Sequence, residues 1–509
     1  MRENRDSTYT KNKRYDIKVI LLVALLALLN AYSKNYPVIG MVLGVGEVIC
    51  LIFMIFMRTS LEKYLKIFFV FSATCMDTPL FVFGENSNRN LYSFVNLPLI
   101  HSYHILLFLF VPIISIIMTN RRFHSYIKQL KCNKDIFRFV KLFTYVYVGG
   151  IFIGLLNILI GDNHAWSHLG FYLDIFKHQF FLFSCYYFLV LDCSILYITN
   201  NNSSDHMINL FVNIFRSIAI ASIASCLIGW SADLGSGTVL LLSQSSFFAA
   251  IILLLPLYDY GEVMDTLLGV VLIIVMSKKS SAFAGKWWLY IFLILLICAF
   301  KCVKMKRTIK VRQFIVRLLI IYVFIIAVFA FSVNIAQIGG YGLAQYKFNQ
   351  AKELISVFSD NWYENVPASP KMRIDEFINI WIEFVEKPHY LLLGKGLSGT
   401  IIQHTNVLNW DLIGSTFSGK EIEYGLFAYV HETINILALS SGILGLCFVI
   451  SEVRFFIKTV EKSCIEIVGF IWFAFFFGSS YLSLIIGLGC LFFAKANRSL
   501  LSATGKLSV

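Results

Sequence analysis

GKGLSG (394–399) and VHETINILALSSGILGL (430–446) close a long polar excursion, about Tyr341 to Tyr429, in a chain otherwise made of apolar runs. Lipid offers no partners to polar side chains or irregular backbone, so such a segment stands in water beside a membrane. The apolar residues that follow His431 then carry the chain back into hydrocarbon. This reading sets the fold class: an all-α, polytopic membrane bundle with one long, partly helical loop outside it.

Composition agrees. The 509 residues are 58% hydrophobic and 14% charged, with a mean hydropathy of +0.73, values of a multi-pass membrane protein and not of a soluble domain. The net charge of +13 does not point to nucleic acid, because of where it sits. Between Gly340 and Val430 there are seven basic and ten acidic residues, a net of −3, so the short connections carry the positive excess. Charge retained in the cytoplasm during insertion gives that pattern. The eleven cysteines are scattered and none falls in the long loop. No CxxC or Cys/His pair has metal-ligand spacing, so neither a disulfide scaffold nor a zinc site is expected.

Windows long enough to cross a ~30 Å hydrocarbon core fall near 16–33, 38–57, 64–83, 99–118, 139–160, 179–199, 209–230, 237–256, 263–277, 287–300, 314–335, 431–451, 465–478 and 481–494. These predict about fourteen transmembrane helices, in an N-terminal bundle (1–335), a large outer loop (336–430) and C-terminal helices (431–509). The basic N-terminus, Arg121 to Arg138, Lys301 to Arg312, Arg454 to Lys462 and the tail with Lys495 and Arg498 all fall on one side. Both termini are therefore expected in the cytoplasm and the long loop outside.

Within the loop, Leu343 to Phe358 reads as a helix. A second helix starts with Ser369 as N-cap and Pro370 in its first turn, and Pro388 ends it. Ile374, Phe377, Ile378, Trp381 and Val385 form its apolar stripe, which predicts that it lies on the bundle or in the headgroup layer.

Several residues admit a chemical and a plain reading. The glycines of Gly394, Lys395, Gly396 let backbone N–H groups approach an anionic or sugar ligand, or simply make a turn. His431 is a general-base candidate, since imidazole takes a proton near neutral pH, or an interfacial histidine bonded to a carbonyl. Glu432 is adjacent, but consecutive helical residues point about 100° apart, which argues against one dyad. Arg373 suits bidentate phosphate binding, or pairs with Glu376 one turn on. Lys278 and Lys279 put two cations on the outer side, where the insertion rule disfavours them. They hold an anion at the membrane surface or snorkel to headgroups. Glu47, Asp77, Asp192 and Asp265 lie within apolar spans, as a proton or ion path or as structural pairs, which keeps a transporter open.

Taken in order, SKKSSAFAG (277–285), RIDEFINIW (373–381), PHYLLLGKGLSG (388–399) and HETINILALSSGILG (431–445) resemble the bacterial O-antigen polymerase and O-antigen ligase superfamily over roughly residues 265 to 495. The resemblance implies a metal-independent, cofactor-free glycosyltransferase of the bacterial inner membrane with a periplasmic site. Its donor and acceptor would be undecaprenyl-diphosphate-linked glycans, with a chain-length regulator as a further partner. It implies that Arg373 with Lys279 or Lys278 contacts the diphosphate, that Gly394 and Gly396 form a substrate-binding turn, and that His431 activates the acceptor hydroxyl. Two positions depart from the pattern. The family's arginine in the first motif is lysine here, at Lys279 or Lys278, and Glu432 replaces the asparagine that commonly follows the histidine, so a carboxylate can share the base role. Polymerase is the expected activity, ligase its nearest rival, and a lipid-linked oligosaccharide flippase the alternative of another class.

Overall fold

The computed structural model describes residues 16–32, 36–74, 96–100, 103–106, 110–119, 123–132, 134–160, 167–199, 203–228, 232–233, 239–240, 264–265, 267–269, 271–272, 275, 361–366, 368–405, 407–410 and 417–459. Helices dominate: α1 (Ile17–Tyr32), α2 (Pro37–Phe56), α3 (Leu61–Thr74), α4 (Phe110–Thr119), α5 (Phe123–Cys132), α6 (Lys134–Ile160), α7 (Leu169–Thr199) and α8 (Ser203–Ile228). After them come α9 (Trp362–Asn365), α10 (Ala368–Glu386), α11 (Tyr390–Leu393), a 3-10 turn (Gly396–Ser398), α12 (Gly419–Tyr424) and α13 (Thr433–Thr459).

Among the described residues, five helices are long and apolar enough to cross a membrane: Val38–Phe56, Ile136–Ile160, Leu169–Leu196, His206–Ser225 and Thr433–Ser451. They coincide with five of the predicted windows and are compatible with a multi-pass membrane protein. Of the others, 16–33 is the shorter apolar α1, and 64–83 is helical as far as Thr74. The window at 99–118 is not one helix. An antiparallel pair, β1 (Asn96–Ile100) and β2 (Tyr103–Leu106), occupies its start, and the ten-residue α4 its end. Pro98 in β1 and Pro112 in α4 supply no N–H, which suits an edge strand and a first helical turn better than a helix interior. The windows 237–256, 287–300, 314–335, 465–478 and 481–494, and the helix expected at 343–358, lie outside the described residues, as does most of 263–277.

The centre is aromatic. Phe143 of α6 stacks on Phe448 of α13 at 5.0 Å, and Tyr147 on Tyr187 of α7 at 4.9 Å. The Tyr147 hydroxyl pairs with Ser184 Oγ at 2.5 Å, so a polar tip brought into the apolar interior is satisfied there. Outward-facing Leu21, Leu22, Val42, Phe53 and Phe152 are exposed, as apolar side chains are when the surrounding phase is lipid. Of the intramembrane carboxylates, Asp265 forms a fork with Arg216, Nε–Oδ1 and Nη2–Oδ2 both 2.7 Å. Asp192 accepts from Ser115 at 2.7 Å. Both are pairs between elements, and Asp77 lies outside the described residues.

Helix α10 begins at Ala368, a residue before the expected N-cap, and ends at Glu386, before Pro388. Its apolar stripe, expected on the bundle or in the headgroup layer, is not the face most deeply buried in the protein. The buried face is Met372, Asp375, Glu376, Asn379, Ile380, Glu383 and Phe384, a stripe at helical spacing that is polar at four of seven positions. The apolar stripe is less deeply buried: Ile374, Phe377, Ile378 and Trp381 are half-buried, Trp381 packing on the core, and Val385 is exposed. Beside a bilayer the surroundings are apolar, so a polar inner face is stable provided that every group on it finds a partner.

Candidate functional site

The partners come from α13 and from the chain just before it. Asp375 Oδ2 accepts the Trp410 indole N–H at 2.8 Å, and Oδ1 accepts the Thr405 hydroxyl at 2.5 Å. Asn379 Oδ1 accepts the backbone N–H of His404 and Thr405. Lys395, buried, reaches Glu383 and the carbonyl of Thr400. These bonds clamp the segment 395–410 onto α10.

One turn toward its N-terminus, α10 meets the entry to α13 through two crossed pairs. Arg373 Nε lies 2.5 Å from Glu432 Oε1. Glu376 takes His431 with both oxygens: Oε2 accepts the His431 backbone N–H at 2.8 Å, and Oε1 lies 2.6 Å from Nδ1. Asn435, in the first turn of α13, donates through Nδ2 to Glu376 Oε2 at 3.2 Å and to the carbonyl of Arg373 at 2.9 Å. Glu376 is fully buried, whereas the side chains of His431 and Arg373 are 26% and 37% exposed. The cluster therefore has a buried acidic floor, and an imidazole and a guanidinium at its mouth.

Two expectations change here. Arg373 pairs with Glu432 across the fold, and Glu376, the partner expected one turn along the same helix, belongs to His431. His431 and Glu432 are also not consecutive helical residues. α13 starts at Thr433 and Glu432 sits at φ +66°, a conformation rare outside glycine and asparagine. That backbone reversal sends the two side chains to different partners on α10, so Glu432 faces Arg373 and not the imidazole.

The turn at 394–396 serves the same meeting of elements. Gly394 and Gly396 have φ of +67° and +72°. A Cβ on Gly394 would sit 2.5 Å from the backbone of Ser440 and 2.7 Å from that of Gly442; one on Gly396 would sit 2.5 Å from Gly154 Cα. The N–H groups of Gly394 and Lys395 bond to the carbonyls of Tyr390 and Leu439, each at 2.8 Å. On the side where a Cβ would stand, what these glycines admit is the backbone of α6 and α13. Ser398 Oγ on the Gly154 carbonyl, 2.8 Å, and Asn157 Nδ2 on the Lys395 carbonyl, 2.5 Å, fix the turn to α6.

No protein-family model, curated protein or solved structure matches the chain. The fold unites His431, Glu432 and Arg373. Lys278 and Lys279 lie outside the described residues. Among the described residues no group of three or more His, Cys, Asp or Glu is placed to hold a metal. Glu376 and Asn435 are the site residues that sequence reasoning missed. The available signal was the polar stripe 375, 376, 379, 383 at helical spacing on a helix otherwise marked by its apolar residues.

Proposed function

We propose that the protein is a membrane-embedded glycosyltransferase of the O-antigen polymerase type, acting outside the cytoplasm on polyprenyl-diphosphate-linked glycans. One observation carries this reading: a guanidinium and a histidine held by separate carboxylates at one mouth, 59 and 55 residues from those partners in sequence. In the reaction, the hydroxyl oxygen of the acceptor sugar bonds to the anomeric carbon of the donor glycan as the bond from that carbon to the diphosphate breaks. The diphosphate leaves with the electron pair, and its growing charge is stabilised by Arg373. The hydroxyl proton passes to His431. Glu432 keeps the guanidinium oriented and gives way to the more highly charged diphosphate. Lys278 and Lys279 are proposed as further diphosphate contacts.

Membranes containing the protein, supplied with lipid-linked repeat units, test the reading. Chain lengthening without lipid A core is the expected result, lost in His431→Ala and Arg373→Ala. Transfer only when core is supplied would make it a ligase. Full activity in both variants at normal membrane levels would refute the site, and no chain lengthening attributable to the protein would favour a flippase.

A further inference from the structure

Resting on that reading, we propose that Glu376 is the positioning residue of the site: it fixes which nitrogen of His431 is left to take the proton. Three N–H donors converge on this one carboxylate. The His431 backbone and Asn435 Nδ2 reach Oε2, and the imidazole Nδ1 reaches Oε1. A carboxylate held by donors acts as the acceptor, so the ring hydrogen sits on Nδ1 and the lone pair on Nε2. Among the described residues Nε2 has no hydrogen-bond partner, and the His431 side chain is 26% exposed. Phe417, 6.4 Å from the imidazole and edge-on to it, supports the ring from the side.

The consequence is chemical. When Nε2 takes the hydroxyl proton, Nδ1 keeps its own, and the imidazolium charge appears beside a buried acidic group already aligned with it. Burial matters, because the interaction is little screened there. A glutamine at 376 has nearly the same shape and still offers one carbonyl oxygen to the His431 backbone. Its other arm is an NH₂ group, a donor aimed at Nδ1. That reverses the ring: Nδ1 must accept and Nε2 carries the hydrogen. The site keeps its form and loses its base.

The test is the polymerisation rate of Glu376→Gln in membranes, compared with His431→Ala and with the double variant. The expected result is a fall in kcat of about 10²–10⁴, the usual range for a positioned general base, with KM for the lipid-linked donor unchanged. The residual rate of the double variant should equal that of His431→Ala alone, since Glu376 acts through the ring. A further fall in the double variant would mark Glu376 as merely structural and overturn the inference. So would full activity of Glu376→Gln where His431→Ala is inactive, and that outcome leaves the proposed function standing. Full activity of His431→Ala would instead refute the site on which the proposed function places its chemistry. Where Glu376→Gln does not reach the membrane, Glu376→Asp replaces it. It keeps the acceptor but withdraws it by one methylene, and an intermediate kcat at unchanged KM supports the inference while an unchanged kcat overturns it.

Discussion

Gly394→Ala should be among the most damaging single-methyl additions in the chain, and Gly425→Ala supplies its control. Both glycines have positive φ, +67° and +63°. At Gly425, the C-cap of α12, nothing lies within 4 Å of an added Cβ, so alanine there costs only the left-handed conformation, about 1–2 kcal/mol. Gly394 has ψ −164°, a region essentially restricted to glycine, where a side chain costs about 1–3 kcal/mol. Its Cβ would also overlap the backbone of Ser440 and Gly442. Backbone cannot rotate aside as a side chain tip does, and overpacking of this kind adds about 1–3 kcal/mol. The total is about 2–6 kcal/mol against 1–2, a mid-range difference of about 2.5 kcal/mol, so the unfolding constants should differ by roughly fiftyfold at ~1.4 kcal/mol per decade. Denaturing-detergent titration of the purified variants, followed by tryptophan fluorescence, measures both. Gly394→Ala unfolding no more readily than Gly425→Ala would refute the close approach of the turn to α13.

Three further outcomes follow from other contacts. Glu432→Gln frees Arg373 from a pair that is partly exposed and so contributes at most ~1 kcal/mol; the unfolding midpoint should barely move. Inorganic pyrophosphate, titrated calorimetrically, should bind more tightly, by up to about fivefold, and weaker binding would count against Arg373 as an anion seat. Arg216→Met takes the guanidinium from the buried Asp265 and should cost about 3–5 kcal/mol, most of it recovered in the double variant with Asp265→Leu; a double variant as unstable as the single would refute the pairing. Trp410→Phe removes the indole donor to Asp375 Oδ2 at the cost of about 1–3 kcal/mol, read as a lower midpoint in the same titration, whereas an unchanged midpoint would show that the clamp on α10 does not depend on that bond.

Much of this protein is legible along the chain and some of it is not. Hydropathy is a sum over neighbouring residues, so α2, α6, α7, α8 and α13 announce themselves in windows of about twenty residues. Caps and prolines are equally local, and α10 ends where Pro388 says it must. The direction in which α10 faces is different. Its apolar stripe invites burial and its polar stripe invites solvent, but the polar stripe is the buried one, because Trp410, Thr405, His431 and Asn435 arrive from elsewhere to satisfy it.

The sequence by itself therefore determined a helical, multi-span chain with a polar segment carrying Arg373 ahead of the span that His431 precedes. Only the tertiary structure decided the pairing within that segment. Arg373 could pair with a carboxylate on its own helix or across the fold, and those choices differ by little in local energy. Close packing of Gly394 and Gly396 against α13 and α6, with the reversal at Glu432, selects one. It gives Glu432 to Arg373 and Glu376 to His431, an arrangement that residues more than fifty positions apart cannot specify until the helices beneath them are packed.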